Sequence, residues 1–285
     1  PDNNLTWVGT LHQNIDGYAA GASRQDAAEW EKVSGRFQTL NFNEPATTLL
    51  KLCSAKLEQV DYGADHKQIK RANAATHRSN LLPSAFITLA EELAQNLRPF
   101  DALGAFFTIS ALQKYGQNER SVFSFLEARG PGSLGHPSGN FYTASDLHRY
   151  VGDRMSHVIF SPSNPDKLAW EAAERAIQRA DSHSEIHPQH ARLALHTVLL
   201  ASIFGQDGAK FNQNSLKAYV SAALGKDAGE VVAQLVHKNI IQFLKYKGRL
   251  AFMEGTDVNL HAELREAGQH IPTETDLLHE AAERI

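Results

Sequence analysis

The sequence predicts a mainly α-helical chain, with a short α/β segment at its start and a helix–helix–helix–hairpin order near its end. Three observations predict it. Apolar residues recur at helical spacing through most of residues 84–238. Strand-like alternation is confined to the first 60 residues and to two runs between 240 and 253. Gly, Pro, Asn, Asp and Ser stand where those helices should begin and end.

The elements follow in order. Leu5-Thr6-Trp7-Val8-Gly9-Thr10-Leu11 reads as a short apolar strand, and Ser23 can cap a helix over 25–33. Gly35-Arg36-Phe37-Gln38-Thr39-Leu40-Asn41-Phe42 suggests a second extended run. Glu44-Pro45 opens a helix with Leu49, Leu50, Leu52 and Leu57 on its apolar side. Residues 61–80 are polar and read as a surface connection. Apolar-striped helices are expected over 84–96 and 99–115, the second stopped by Gly116. A short amphipathic helix over 121–128 and a Gly-rich loop over 130–139 follow. Ser145 caps the next helix, and Asn164-Pro165-Asp166 opens another over 167–180. His187-Pro188 breaks the chain before an apolar helix over 189–204. Asn214 or Ser215 caps residues 216–224, Gly225 ends that helix, and Asp227 caps 228–238. Ile240-Ile241-Gln242-Phe243 and Leu250-Ala251-Phe252-Met253 then flank Lys245-Tyr246-Lys247-Gly248-Arg249 as the strands of a hairpin. Three helices and a hairpin in that order are the pattern of a winged helix-turn-helix. The expected division is an α/β segment over 1–60, a helical block over 81–186, a winged helix over 187–260 and a trailing helix over 261–285.

Composition bounds the function. A chain of 285 residues with 42% apolar and 21% charged residues is that of an ordinary globular protein. A formal charge of −4 makes no general argument for nucleic acid. Cys53 is the lone cysteine, which excludes an internal disulfide and fits a reducing, cytoplasmic setting. No run approaches the ~20 apolar residues of a membrane span, and Pro1-Asp2-Asn3-Asn4 is no signal-peptide start. A core strand beginning almost at residue 1 lacks a lead-in, so the chain is expected to be a piece of something longer.

Local motifs for chemistry are few. A phosphate-binding loop needs Gly-x-x-x-x-Gly-Lys-Ser/Thr after a strand. Gly205-Gln206-Asp207-Gly208-Ala209-Lys210 and Gly225-Lys226 have the wrong spacing and follow helices, and no apolar strand ends in paired acids for Mg²⁺. His183, His187 and His190 have spacings that one helix face could use for zinc, but Pro188 interrupts that helix, and no metal site is expected. A Ser/His/Asp triad is joined only by the fold, yet no Gly-x-Ser-x-Gly elbow exists. Cys53, among leucines, reads as core.

Between residues 188 and 253, eight Lys and Arg stand against three acids, a net of +5. Lys245, Lys247 and Arg249 on the wing could meet phosphates. The would-be recognition helix, 228–238, offers one Gln and one Lys but no Arg or Asn to base edges. Non-specific backbone contact or packing is therefore expected of it.

Several stretches in this order resemble one family. They are Gly9-Thr10-Leu11-His12-Gln13, Glu29-Trp30-Glu31-Lys32-Val33-Ser34-Gly35-Arg36-Phe37 and Arg98-Pro99-Phe100-Asp101-Ala102-Leu103. Gly116-Gln117-Asn118-Glu119-Arg120-Ser121-Val122-Phe123-Ser124-Phe125-Leu126 and Phe252-Met253-Glu254-Gly255-Thr256-Asp257-Val258-Asn259-Leu260 follow. Together they resemble the large bacterial P-loop ATPases of the AAA+/STAND type, cousins of the origin-recognition ATPases and often found in anti-phage defence loci. Asn-Glu-Arg-Ser and Glu-Gly-Thr-Asp are the more specific parts.

The resemblance implies that residues 1–60 are the late part of a P-loop ATPase core and that 81–186 are its lid. His12, Gln13 and Asn118 would then lie by the nucleotide, and Arg36 or Arg120 would bring a cation to the phosphates. The local readings stand beside these: His12 and Gln13 ending a strand, Arg120 pairing with Glu119 or capping a helix. The implied ligand is ATP with Mg²⁺, held through a full-length protein, and the implied partners are further copies of the chain or an effector protein. The family pattern is incomplete, because both nucleotide-gripping motifs are missing from this chain. The competing expectation is a non-catalytic winged-helix adaptor that binds DNA or protein.

Overall fold

The computed structural model describes residues 44–58, 65–116 and 118–253, together with Gly9, Asp26, Glu29, Lys32, Gly35 and Arg36. For Asn118 and Glu119 the backbone alone is described. The strand expected over 5–11 (Gly9 aside), the extended run over 37–42, His12, Gln13 and the trailing helix lie outside the described residues. Asp26, Glu29 and Lys32 are helical, within the helix expected over 25–33.

The described chain is mainly α. The helices are α1 (Ala46–Leu57), α2 (His66–His77), α3 (Ser84–Glu92), α4 (Ala102–Tyr115), α5 (Asn118–Leu126), α6 (Ala144–Ile159), α7 (Lys167–Asp181), α8 (Pro188–Phe204) and α9 (Gln213–Leu224). A 3₁₀ turn (Lys226–Glu230), α10 (Val231–His237) and the strands β1 (Ile241–Leu244) and β2 (Arg249–Phe252) complete it. Among the described residues no helix is long and apolar enough to cross a membrane.

Two helices carry the core. In α4, residues from Ala102 to Leu112 are buried almost without interruption, and in α8 so is the run from Leu193 to Ala201. A helix apolar all round must be enclosed by others. Accordingly α3, α5, α6 and α1 pack around α4, and α6, α7, α9, α10 and β2 pack around α8. One continuous buried cluster runs from Leu49 to Leu250 through both.

The helix ends show why the chain turns where it does. Asp101, 2% exposed, accepts from Leu103 N at 3.3 Å and Gly104 N at 2.9 Å. Asn73 Oδ1 of α2 accepts from Ala102 N at 2.8 Å, so the first three N–H groups of α4 are satisfied. At α6, Asp146 accepts from the N–H and Oγ of Thr143 and from Ser138 N, each at 2.8 Å. That ties the preceding loop onto the helix as a capping box. The cap is Thr143, two residues before the expected Ser145. Asn212, rather than Asn214 or Ser215, caps α9 by accepting from Ser215 N at 3.1 Å.

The segment read as a surface connection is in part a core element. Helix α2 buries Ile69, Ala72 and Thr76 and lies along α9. Its apolar stripe is short and set among Lys, Gln, Arg, Asn and His, so composition hides it. Leu52 of α1, expected inside, is 39% exposed, whereas Cys53 and Ser54 are buried.

Residues 188–253 have the expected order, helix, helix, helix, hairpin, but 226–230 form a 3₁₀ turn and the third helix starts at Val231 and not at a cap on Asp227. The strands pair antiparallel from Ile241↔Phe252 to Leu244↔Arg249, closed by a turn in which Gly248 takes φ +65. At Gly229 an added Cβ would lie 2.5 Å from Lys217 O, so only glycine allows the 3₁₀ turn to sit this close to α9.

Candidate functional site

The residues singled out from sequence are dispersed. Arg36 is exposed in a turn. Asn118 is the first residue of α5, and Arg120, the third, is exposed. Lys245 and Lys247 are exposed at the hairpin tip beside Tyr246, which is 80% exposed, and Lys247 Nζ lies 5.6 Å from its ring centre. Arg249 is half-buried and turns back to donate to Ser202 O at 3.5 Å, so it helps hold β2 to α8. Of the polar side chains that α10 and its end could offer to bases, His237 is exposed, while Gln234 and Lys238 are directed to Glu185. Gln234 donates to its carbonyl at 3.5 Å, and Lys238 Nζ lies 2.7 Å from its carboxylate.

The polar chemistry that the fold does assemble lies between α6, α7 and α8. A crevice of about 490 Å³ is lined by Thr143, Ser145, His148 and Arg149 of α6 and its cap, and by Glu174 and Ile177 of α7. Gln189, Arg192, Leu193 and His196 of α8 complete it with Ser138 and Leu224. At its base the rings of His148 and His196 stack, 3.8 Å between centres and 15° from parallel. His148 Nε2 stands 3.3 Å from Glu174 Oε1, near enough for an ion pair but off-line for a hydrogen bond. Beneath, His148 leans on Trp170 at 5.2 Å. Trp170 Nε1 donates to Tyr115 Oη at 3.2 Å, and Tyr115 donates to Asp166 Oδ2 at 2.7 Å. The crevice is thereby tied to the end of α4.

His196 is 6% exposed, and its Nδ1 lies 3.0 Å from Ser145 Oγ. Burial first, then the positive field of His148, Arg192 and Arg149, holds its imidazole well below the usual histidine range, so it is neutral at pH 7. Its Nε2 has no partner among the described residues. Glu174 is held below the usual carboxylate range, chiefly by His148.

The arrangement is not built for serine activation. A base that removes a hydroxyl proton needs its other ring nitrogen held by an acid, and here that nitrogen is unpartnered while Glu174 faces the other histidine. The side chains offer cations, N–H donors and an apolar wall of Ile177, Leu193 and Leu224, which is the chemistry of binding. Among the described residues no group of three or more His, Cys, Asp or Glu could hold a metal. His187 and His190 stack at 3.9 Å, with His183 near Glu185 instead. Cys53 is buried within α1, and burial pushes its thiol up to about 12, far from a thiolate nucleophile.

ATP with Mg²⁺ finds no floor among these residues. Neither a phosphate loop nor a cluster of acids accompanies Arg120, and the crevice carries a single carboxylate already beside His148. The chain matches no family model, no curated protein and no solved structure.

His148, Glu174 and His196 were not singled out from sequence. One signal was present: His196 is the one titratable residue in the buried run of α8 from Leu193 to Ala201. Its partners lie 48 and 22 residues earlier, and only the packing of three helices joins them.

Proposed function

We propose that this chain is the lid and winged-helix portion of a P-loop ATPase, coupling nucleotide state to assembly or to control of an effector, as in anti-phage defence. The observation that carries the reading is the run of α8, α9 and α10 into the β1–β2 hairpin, directly after a helical block that begins α5 with Asn-Glu-Arg-Ser. A second feature supports coupling. Arg179 of α7 donates to Met253 O at 2.6 Å and to Asn239 O at 2.9 Å, clamping both ends of the hairpin to the helical block. A movement of α7 would therefore carry the wing with it.

The nucleotide itself would be held by residues outside this chain, and no step of hydrolysis is derived from the residues described. Arg36, exposed in a turn, and Arg120, exposed on α5, are the two candidates to reach a neighbouring surface. The experiment is nucleotide binding and assembly of the longer polypeptide encoded with this chain, with and without Arg120→Ala. ATP-dependent assembly that the substitution impairs is the expected result. Absence of a Gly-x-x-x-x-Gly-Lys-Ser/Thr motif upstream, or ATP-independent assembly, would sink the proposal.

The hairpin tip favours a second reading, an adaptor making non-specific contacts with nucleic-acid backbone. Lys245, Tyr246 and Lys247 are exposed together, whereas Gln234 and Lys238 are engaged by Glu185 and cannot read bases as they stand. Lys245→Glu with Lys247→Glu should abolish retention of duplex DNA at low salt. Retention unchanged by the pair would leave the tip a packing or solvent-facing element.

A further inference from the structure

The crevice between α6, α7 and α8 has no part in the ATPase reading, and its chemistry is independent of that reading. We propose that it binds a small organic anion, with Arg149 and Arg192 on its oxyanion head group and Ile177, Leu193 and Leu224 against its apolar body.

Size comes first. About 490 Å³ lies within the ~300–1,000 Å³ of small-molecule sites, and the lining joins an apolar wall to a few converging polar groups. The charges then select the ligand. Arg149 and Arg192 come from two different helices, and both line the opening. Arg149 makes no ion pair or hydrogen bond with the described residues. Arg192 has committed one NH₂ to Asp181 at 2.8 Å, which leaves the rest of its five-donor fork. Gln189, donating to Ser138 O at 2.9 Å, fixes the loop at one edge. Glu174 is the sole acid in the lining, and it stands beside His148 rather than by an arginine. A cationic ligand would face two guanidinium groups for one carboxylate.

His196 is the independent sign that something is to be received. A buried polar atom without a partner destabilises a fold, and native folds seldom carry that cost without a use. The stacked His148 holds the ring in place, and Ser145 engages Nδ1. Nε2 is left as the polar group that a ligand, or water brought with it, would satisfy. The positive field already acting on His196 is of the sign that an anion would relieve.

Phenyl phosphate and inorganic phosphate serve as probes, by calorimetry and by the ring-proton resonances of His148 and His196, assigned by single substitutions. Saturable binding of phenyl phosphate should shift both rings, and inorganic phosphate should bind about tenfold more weakly because it lacks the apolar body. Arg149→Ala should weaken phenyl phosphate about tenfold while leaving the unfolding midpoint unchanged, since that side chain is exposed and holds nothing in the fold. Arg192→Ala should weaken it similarly. If its loss from Asp181 disturbs the fold, Arg149→Ala alone carries the test. No saturation, equal affinity for both probes, unmoved histidine resonances, or binding indifferent to Arg149→Ala would each overturn the proposal.

Discussion

Removing the guanidinium of Arg179 while keeping its stem, as Arg179→Met, isolates the clamp between α7 and the hairpin. The wild-type side chain makes two charge-assisted hydrogen bonds, to Met253 O at 2.6 Å and Asn239 O at 2.9 Å. Such bonds contribute ~1.5–3 kcal/mol each, but this site is only partly buried and water can replace some of the loss. A net cost of about 2 kcal/mol follows, or a fall of about 4–8 °C in melting temperature for a domain of this size. The loss should be local as well as global. Amides of the hairpin, including Met253 N, which donates to Ile240 O at 3.0 Å, should exchange about 30-fold faster. Urea unfolding and hydrogen exchange by mass spectrometry measure both effects. Arg192→Ala is the control, because its pair with Asp181 is exposed and contributes less than ~1 kcal/mol. If Arg179→Met loses no more stability than Arg192→Ala, or if the hairpin exchanges no faster than α8, the clamp does not hold the wing.

Further expected outcomes concern backbone, burial and protons. Gly132→Ala should cost about 1–3 kcal/mol in urea unfolding, because Gly132 has φ +75 and an added Cβ would sit 2.7 Å from Tyr150 N. Cys53 should react with a thiol reagent only on unfolding; native-state labelling as fast as a free thiol would contradict its burial. His196 has a depressed folded pKa, so its contribution is intact above pH 6.5 and is lost as pH falls below that value, where the unfolded chain takes up the proton first. The stability difference between wild type and His196→Gln should shrink from pH 7.5 to 5.5 by up to about 1.4 kcal/mol per unit. Asp101 has the opposite sign. Burial pushes its carboxyl up to about 7, so its contribution is greatest at low pH and declines as pH rises from ~4 towards 7. Measured against Asp101→Asn, wild type should lose stability over that rise. A flat difference in either comparison would refute the corresponding assignment.

Much of the helical order was legible because it rests on local chemistry. Pro45, Asn164-Pro165-Asp166, Pro188 and Gly225 start or stop helices through φ restriction, local side-chain hydrogen bonds and glycine's freedom, and each acts within a few residues, whereas the cap at Asp101 emerged only from the structure. The hairpin was legible for the same reason, since two alternating runs around Lys-Gly carry their own turn. The caps of α6 and α9 were misplaced by two or three residues, because Ser, Thr and Asn neighbours compete and only the hydrogen bonds decide. Helix α2 was missed because its burial depends on the face that α9 presents, not on its own composition.

By itself, then, the sequence determined the helical succession apart from α2, the hairpin, the buried Cys53 and the absence of a phosphate loop from this chain. All of these are set by near neighbours or by residues simply not being there. Tertiary structure alone decided that Gln234 and Lys238 turn to Glu185, that Arg179 grips both ends of the hairpin, and that His148, Glu174 and His196 meet in one crevice. Those groups come from separate helices, and the packing of apolar faces that brings them together is indifferent to the polar chemistry it aligns.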